Sequence, residues 1–336
     1  MSARTLSIAA IVTSLAVLAW VSWQRSQRPQ QSAEIVEQWS DLDGEAWLLP
    51  NLRNTSVAQP DRPHSFQEVH AWRKGEYSGL TRVRSYQLRT NSDRMRGPEL
   101  KPKANGMLRI IALGDSVTHG WGVSEEESFP NVLGERLRSR GVPAEVLNAG
   151  VPSNTDVAMQ RWCTRKAVAM NPDLIIWTRR VHQRGPNPHV TYNRAVQACK
   201  KATGVPIIVA LPPVSTFDRK GSEKWPSEYA QINTDLGDVA SAIIEMTPVF
   251  RAAQAGRGVV LETRGLKLAV VDQTHGTPII EVPPIARDLP AEIYALFERD
   301  PNIREALFFD DGHPDAEGFR VFADALVEPV LAALPR

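Results

Sequence analysis

The sequence predicts an α/β fold: a three-layer α/β/α sandwich around a central parallel sheet of about five strands, preceded by one N-terminal transmembrane helix. Beyond residue 106, short runs that are apolar throughout alternate with amphipathic segments, as is typical of a parallel sheet covered by helices on both faces. Of the 336 residues, 42% are hydrophobic and 23% are charged, and the net charge is +1. This composition excludes a disordered, collagen-like or nucleic-acid-coating protein.

The N-terminal segment indicates export. Residues 5–23 carry no charge over 19 positions. A helix of that length rises ~29 Å, close to the ~30 Å of membrane hydrocarbon. We expect residues 1–25 to form a membrane anchor, because Trp20 and Trp23 suit the headgroup layer and disfavour cleavage after Ala19. The alternatives are a cleaved signal peptide and a buried core helix of the soluble domain. An anchor or a signal peptide places the remaining chain outside the cytoplasm, in the periplasm or at the cell surface.

Residues 26–74 form a predicted stalk or linker, because they are polar, contain four prolines and lack sustained periodicity. One short helix is expected around residues 33–42. The overlapping stretch 73–103 holds nine Lys or Arg residues against three acidic ones. This excess would suit anionic headgroups or an acidic glycan, and the alternative is a solvated surface.

The predicted α/β domain covers residues 75–336. Its strands are expected at 108–113, 144–147, 174–177, 205–211 and 277–282. Its helices are expected at 129–140, 155–170, 192–202, 227–255, 259–273 and 316–333. In such folds ligands bind at the carboxyl ends of the strands, where we therefore expect the functional site.

The first predicted strand ends in the run GDSVTHGWGV, residues 114–123. A serine at this point projects its hydroxyl into the cleft, and backbone N–H groups at a helix start stabilise negative charge. The run matches neither the G-x-S-x-G elbow of α/β-hydrolases nor a dinucleotide-binding loop. Ser116 is therefore a candidate nucleophile, and an ordinary turn capped by Asp115 is the alternative.

A second run, FFDDGHPDAEGF at residues 308–319, contains candidates for the groups that a nucleophilic serine requires. Serine needs a general base, and a carboxylate must hold that base in one tautomer. His313 and Asp310, three residues apart, fit these roles within one tight loop. The alternative is a charged turn before a helix. A metal site is not expected, because no second histidine stands at ligand spacing.

Together the two runs resemble the SGNH hydrolase superfamily, the GDSL-like esterases, over roughly residues 75–335. The resemblance implies a three-layer α/β/α domain with a catalytic triad of Ser116, His313 and Asp310. The run YQLRTNSDRMRGPE, residues 86–99, is similar to the N-terminal extension of membrane-anchored bacterial members.

The same resemblance implies an oxyanion hole made of the N–H of Ser116, a glycine N–H in a second block and an asparagine side chain in a G-x-N-D third block. The second block reads NAGVPSNT, with Gly150 as a family-like glycine and Ser153 where the donor glycine usually lies. The backbone N–H survives this replacement unless the position requires a positive φ. The third block, PDLIIWTRRVHQRG, lacks G-x-N-D and places His182 at the asparagine, either as a substitute donor or as an unrelated loop residue.

These expectations favour a serine ester hydrolase acting on an O-acyl glycan or small ester outside the cytoplasm. One alternative is an O-acyltransferase of a cell-surface polysaccharide that uses the same residues. Another is a catalytically degenerate SGNH domain that binds glycans or assists assembly. The expected partners are an acyl ester, with an anionic glycan as one candidate, and the membrane; no metal, organic cofactor or nucleic acid is implied.

Several other residues of the chain are given no catalytic role. The two cysteines, Cys163 and Cys199, either form one disulfide in an exported chain or are small buried hydrophobes. His119 is expected at an exposed loop position. Arg179, Arg180 and Arg184 are expected either in a solvated loop or in contact with an acidic substrate. Trp121 and Trp177 are expected in the core or in the cleft wall.

Overall fold

The structure is a computed structural model of the chain. It describes residues 30–31, 35–39, 45–60, 83–179, 188–214, 219–254, 259–264, 267–272, 277–282, 307–308 and 312–334. The predicted membrane anchor lies outside these residues. Across the described ranges, no helix has both the length and the apolar character that a membrane crossing needs.

Thirteen strands and seven α-helices are assigned within the described residues. The strands are β1 (Gln30–Gln31), β2 (Val36–Trp39), β3 (Glu45–Leu48), β4 (Thr55–Pro60), β5 (Val83–Leu88), β6 (Leu108–Gly114), β7 (Ala144–Gly150), β8 (Leu174–Thr178), β9 (Ile207–Leu211), β10 (Ala242–Glu245), β11 (Val259–Arg264), β12 (Lys267–Asp272) and β13 (Thr277–Val282). The helices are α1 (Ser116–His119), α2 (Phe129–Ser139), α3 (Asp156–Trp162), α4 (Pro188–Thr203), α5 (Arg219–Leu236), α6 (Met246–Gln254) and α7 (Ala316–Ala333).

Five parallel strands form the central sheet in the order β10-β9-β8-β6-β7. Successive side chains of a strand enter opposite layers. Ile111 and Leu113 of β6 join the core that contains residues of α3, α4 and α5. Ile110 and Ala112 join the core that contains residues of α2, α6 and α7. Helices therefore flank the sheet on both faces, which confirms the predicted α/β architecture.

The strand order places a topological switch point at β6. The chain leaves β6, forms β7 on one side, and then crosses to form β8 on the other side. A crevice forms at the carboxyl ends of strands where the order reverses in this way. The GDS run follows β6 and so lies at this point.

The prediction of the fifth sheet strand was wrong. Residues 277–282 are a strand, but they pair antiparallel with β12 in a separate three-stranded sheet. The fifth central strand is β10, which pairs with β9 and interrupts the helix predicted at 227–255. β10 is a run of four residues, AIIE, and hydrophobic periodicity cannot distinguish so short a run from a helix segment.

The helix predicted at 259–273 was also wrong. Residues Val259–Arg264 and Lys267–Asp272 are antiparallel strands that pair with each other. Valines at 259, 260, 270 and 271 favour this pairing, because β-branched side chains fit a pleated sheet better than a helix.

Part of the predicted stalk contributes to the domain core. Trp47 and Leu48 of β3 and Val57 of β4 are fully buried, and the Trp47 ring stacks on Trp162 of α3 with centroids 5.6 Å apart. The short helix predicted at 33–42 was wrong, because Val36–Trp39 is a strand that pairs with β3. The predicted boundaries of the anchor (residues 1–25), the linker (26–74) and the α/β domain (75–336) stay predictions.

The two cysteines form a disulfide. Cys163 and Cys199 have Cα atoms 5.6 Å apart and join the segment after α3 to α4. Both residues are also fully buried, so the burial expected of free cysteines holds for the bonded pair.

Several charges of the basic stretch 73–103 serve internal contacts. Arg89 pairs with Glu125 at 2.6 Å, and Lys103 pairs with Asp173 at 2.6 Å. Arg94 donates to a backbone carbonyl, and Arg96 is buried. At least these four cations are therefore engaged within the protein, which reduces the charge left for an anionic partner.

Candidate active site

Ser116 begins helix α1 directly after strand β6. The N-cap residue Asp115 accepts a hydrogen bond from the Val117 N–H at 3.0 Å, which fixes the first turn of the helix. Gly114 allows this turn to lie close to the neighbouring strand, because a Cβ there would lie 2.1 Å from the Thr178 carbonyl oxygen. The serine hydroxyl is half-buried at the carboxyl end of the central sheet.

His313 lies beside Ser116, although 197 residues separate them in sequence. The distance between His313 Nε2 and Ser116 Oγ is 2.9 Å. The histidine precedes helix α7, which Asp315 caps with its side chain, and Phe308 forms a bridge with Pro314 on the other side. These contacts fix the backbone directly after His313, at Pro314 and Asp315.

Two of the predicted site residues, Asp310 and His182, lie outside the described residues. Their proposed roles, the carboxylate beside His313 and the third oxyanion donor, stay predictions from the resemblance. Among the described residues, no three His, Cys, Asp or Glu side chains are gathered as metal ligands.

The two other predicted oxyanion residues lie at the end of β7, which is Gly150, and in the turn that follows it, which contains Ser153. The N–H of Gly150 donates to the Asn148 side chain at 3.0 Å, which argues against Gly150 as an oxyanion donor. Gly150 is instead required for close approach, since a Cβ there would lie 2.1 Å from the backbone nitrogen of His119. Ser153 is exposed and has φ 62°, so this position does adopt the left-handed conformation that favours glycine.

The expectation for His119 was wrong: this residue is fully buried behind the nucleophile. The Nδ1–H donates to the Gly150 carbonyl at 3.3 Å, since a carbonyl can only accept. The Nε2 therefore accepts from the Tyr86 hydroxyl at 3.1 Å. Burial, together with the positive charge of Arg96, lowers the pKa of His119 well below its usual value, so that the imidazole is neutral.

Arg96 supports the same helix from the segment that resembles an N-terminal extension. Its guanidinium is 2% exposed and donates to the carbonyls of His119 and Gly120 at 2.7 and 2.8 Å. A third hydrogen bond of 2.8 Å reaches the Val123 carbonyl. Carbonyls at the end of a helix carry partial negative charge, which a cation stabilises.

Arg179 is not a solvated loop residue. It follows β8, is 1% exposed and forms a salt bridge with Asp156 at the start of α3. Arg180 and Arg184 lie outside the described residues. Trp177 is buried in the core, as expected, and half-buried Trp121 forms a cleft wall with its ring centroid 6.1 Å from that of His313.

The buried groups around the serine were not predicted from the sequence. His119 stands three residues after Ser116, within one turn of the same helix, and this spacing was the available signal. Tyr86 and Arg96 belong to the run at residues 86–99, and nothing in its pattern shows that it folds against the nucleophile. No local signal pairs Arg179 with Asp156.

Comparisons with known proteins identify the family. The family model described as "GDSL-like Lipase/Acylhydrolase family" matches residues 112–321. An acetyl xylan esterase, AlAXEase, is 16% identical with a TM-score of 0.45, and the match covers 66% of this chain and 100% of that one. A lipase/acylhydrolase from Enterococcus faecalis is 18% identical with a TM-score of 0.39 over 68% of this chain and 98% of that one. The comparison with curated proteins found no match. Because the family model spans more than half of the chain and both of its sequence blocks, this chain belongs to the GDSL-like lipase/acylhydrolase family, within the SGNH hydrolase superfamily.

Proposed function

We propose that this protein is an extracytoplasmic serine ester hydrolase that acts on an acyl ester, an O-acyl glycan or a small ester. The observation that carries the proposal is the 2.9 Å contact between Ser116 Oγ and His313 Nε2. A hydroxyl and an imidazole in hydrogen-bond contact are the minimum that nucleophilic acyl transfer requires. This contact favours catalysis over a degenerate, purely binding domain.

In the proposed mechanism, His313 Nε2 takes the proton of Ser116 as Oγ attacks the acyl carbonyl carbon. The C–O bond to the leaving alcohol then breaks, and the imidazolium returns the proton to that alcohol. Water repeats the sequence on the acyl-enzyme and releases the carboxylic acid. By the resemblance, Asp310 holds the imidazole, and the N–H groups of Ser116 and Ser153, with His182, face the oxyanion.

Two features support a location outside the cytoplasm. The Cys163–Cys199 disulfide suits an oxidising compartment. The uncharged segment 5–23 suits an anchor or signal peptide.

Labelling with a fluorescent fluorophosphonate tests the proposal, because only an activated serine reacts with this probe. We expect the wild type to be labelled and to hydrolyse p-nitrophenyl acetate. Ser116→Ala is expected to lose labelling and at least about 10³-fold of the turnover, without a change in circular dichroism. Ser139→Ala, at the exposed end of α2, is the matched control and is expected to behave as the wild type.

An unlabelled wild type, or a Ser116→Ala variant that is labelled as strongly as the wild type, would overturn the proposal. Product analysis with and without an oligosaccharide acceptor then separates hydrolysis from acyl transfer, because water and a sugar hydroxyl compete for the same acyl-enzyme.

A further inference from the structure

The turn that carries Ser153 is held in a costly conformation. At φ 62° the Cβ of a serine lies close to the following carbonyl oxygen. Glycine has no Cβ and adopts the same conformation without this contact. The Ser153 side chain is exposed, so its own packing does not explain the conformation. Such a backbone persists only when its surroundings fix it.

Residues on either side of Ser153 supply part of that support. The Val151 N–H donates to the Gly114 carbonyl at 3.1 Å, which joins the turn to the end of β6, the strand that precedes the nucleophile. The Asn154 N–H donates back to the Val151 carbonyl at 3.1 Å, across Ser153. These contacts close the turn but leave the carbonyl of Asn154 to be held by another group.

Arg179 holds that carbonyl. Its Nε donates to the Asn154 oxygen at 2.8 Å, and its guanidinium pairs with the carboxylate of Asp156, two residues further on. The buried Arg179 side chain thus holds Asn154 and Asp156, the first and the last of the three residues that follow Ser153. Burial raises the pKa of Asp156, and the positive charge of Arg179 opposes that rise.

The position of Arg179 also links it to the nucleophile. It follows Thr178, which lies opposite Gly114 in the register of β8 and β6. The Thr178 carbonyl accepts a hydrogen bond of 3.3 Å from the hydroxyl of Thr118 in α1. The same strand end therefore contacts both the nucleophile helix and, through Arg179, the turn with Ser153.

We propose that Arg179 is a positioning residue for the oxyanion hole: anchored by Asp156, it holds the Asn154 carbonyl and so keeps the strained Ser153 N–H directed at the oxyanion. This inference rests on the proposed function. It assigns the buried arginine a role in the rate of acyl transfer, through the turn and without contact to the substrate.

The test is Arg179→Lys, which keeps the positive charge beside Asp156 but loses the guanidinium Nε donor. We expect kcat for p-nitrophenyl acetate, per fluorophosphonate-titrated serine, to fall roughly 10-fold or more with KM changed less than about 2-fold. Glycine at position 153 adopts a positive φ without strain. In the Ser153→Gly variant, Arg179→Lys is therefore expected to lower kcat by only about 3-fold or less.

Arg109→Lys is the matched control. Arg109 is another buried arginine, paired with Glu145 at 2.6 Å, but it lies at the start of β6, the opposite end from the site. We expect it to lower the urea midpoint of unfolding and to leave kcat per titrated serine unchanged. If Arg179→Lys does not fold, the charge-free pair Arg179→Gln with Asp156→Asn replaces it, with the same expected loss and the same rescue by Ser153→Gly.

An equal loss of kcat in both backgrounds, or an unchanged kcat per titrated serine, would overturn the positioning role. Failure of the proposed function itself is a different outcome, because the wild type would then show neither labelling nor turnover.

Discussion

At the scale of single residues, His119 joins two parts of the chain behind the nucleophile. One ring nitrogen donates to the carbonyl of Gly150, and the other accepts from the hydroxyl of Tyr86. A neutral imidazole has one donor and one acceptor, which matches these two partners. A second proton would add a charge in a fully buried site beside Arg96, and this explains the lowered pKa of His119.

The buried neutral histidine predicts a pH dependence of stability. As the pH falls below about 6.5, the unfolded chain binds a proton at His119 and the native protein does not, so the free energy of unfolding decreases. This group contributes a slope that approaches ~1.4 kcal/mol per pH unit. We expect His119→Gln to make the dependence between pH 6 and 5 shallower by roughly 1 kcal/mol per unit, measured by urea unfolding.

His189→Gln serves as the control for that measurement, because His189 is half-exposed at the start of α4. Its slope is expected to equal that of the wild type. If His119→Gln also retained the full wild-type slope, the neutral state assigned to His119 would be wrong.

At the scale of elements, strands near the N-terminus belong to the folded unit that carries the site. β5 contributes Tyr86 to the contact with His119, and Arg96 follows shortly after it. Further upstream, Trp47 of β3 stacks on Trp162 of α3, and both rings are fully buried. The segment before the GDS run is therefore a structural support for the nucleophile helix and its core.

Replacement of Trp47 tests this support. We expect Trp47→Ala to lower the free energy of unfolding by ~3–5 kcal/mol, because it removes a buried aromatic side chain and leaves a cavity. Val168→Ala, at a 45% exposed position, is expected to change it by less than about 0.5 kcal/mol. A loss below about 1 kcal/mol for Trp47→Ala would show that β3 does not pack on the domain in solution.

At the scale of the whole molecule, one covalent link ties together the helical layer on one face of the sheet. The disulfide spans 36 residues, from the segment after α3 to α4, and lies in the same core as Trp47 and Trp162. Closing a loop of this length restricts the unfolded chain and stabilises the folded one by ~2–4 kcal/mol.

Reduction is therefore expected to destabilise the protein by ~2–4 kcal/mol, measured by urea unfolding with and without dithiothreitol. The double variant Cys163→Ala with Cys199→Ala is the control and is expected to be insensitive to the reductant. Equal unfolding midpoints for the wild type with and without reductant would contradict a formed Cys163–Cys199 bond.

The α/β architecture and both residues of the Ser–His pair could be predicted from the sequence. The runs 108–113 and 174–177 predicted central strands correctly, because a strand buried on both faces is largely apolar, with Arg109 at the start of β6 as an exception. Prediction from the sequence failed for β10 and for the β11–β12 pair. Their short or valine-rich runs fit both a helical and a strand periodicity, and only the available pairing partner decides between helix and strand.

Which polar groups are buried together depends on the tertiary fold. Ser116 and His313 were each recognisable, but their contact depends on a chain that returns across 197 residues to the switch point at β6. The burial of His119 and the pairing of Arg179 with Asp156 depend on the same topology. The physical reason is that periodicity is a local property of the backbone, whereas the cost of burying a polar group is set by the partners that the fold brings to it.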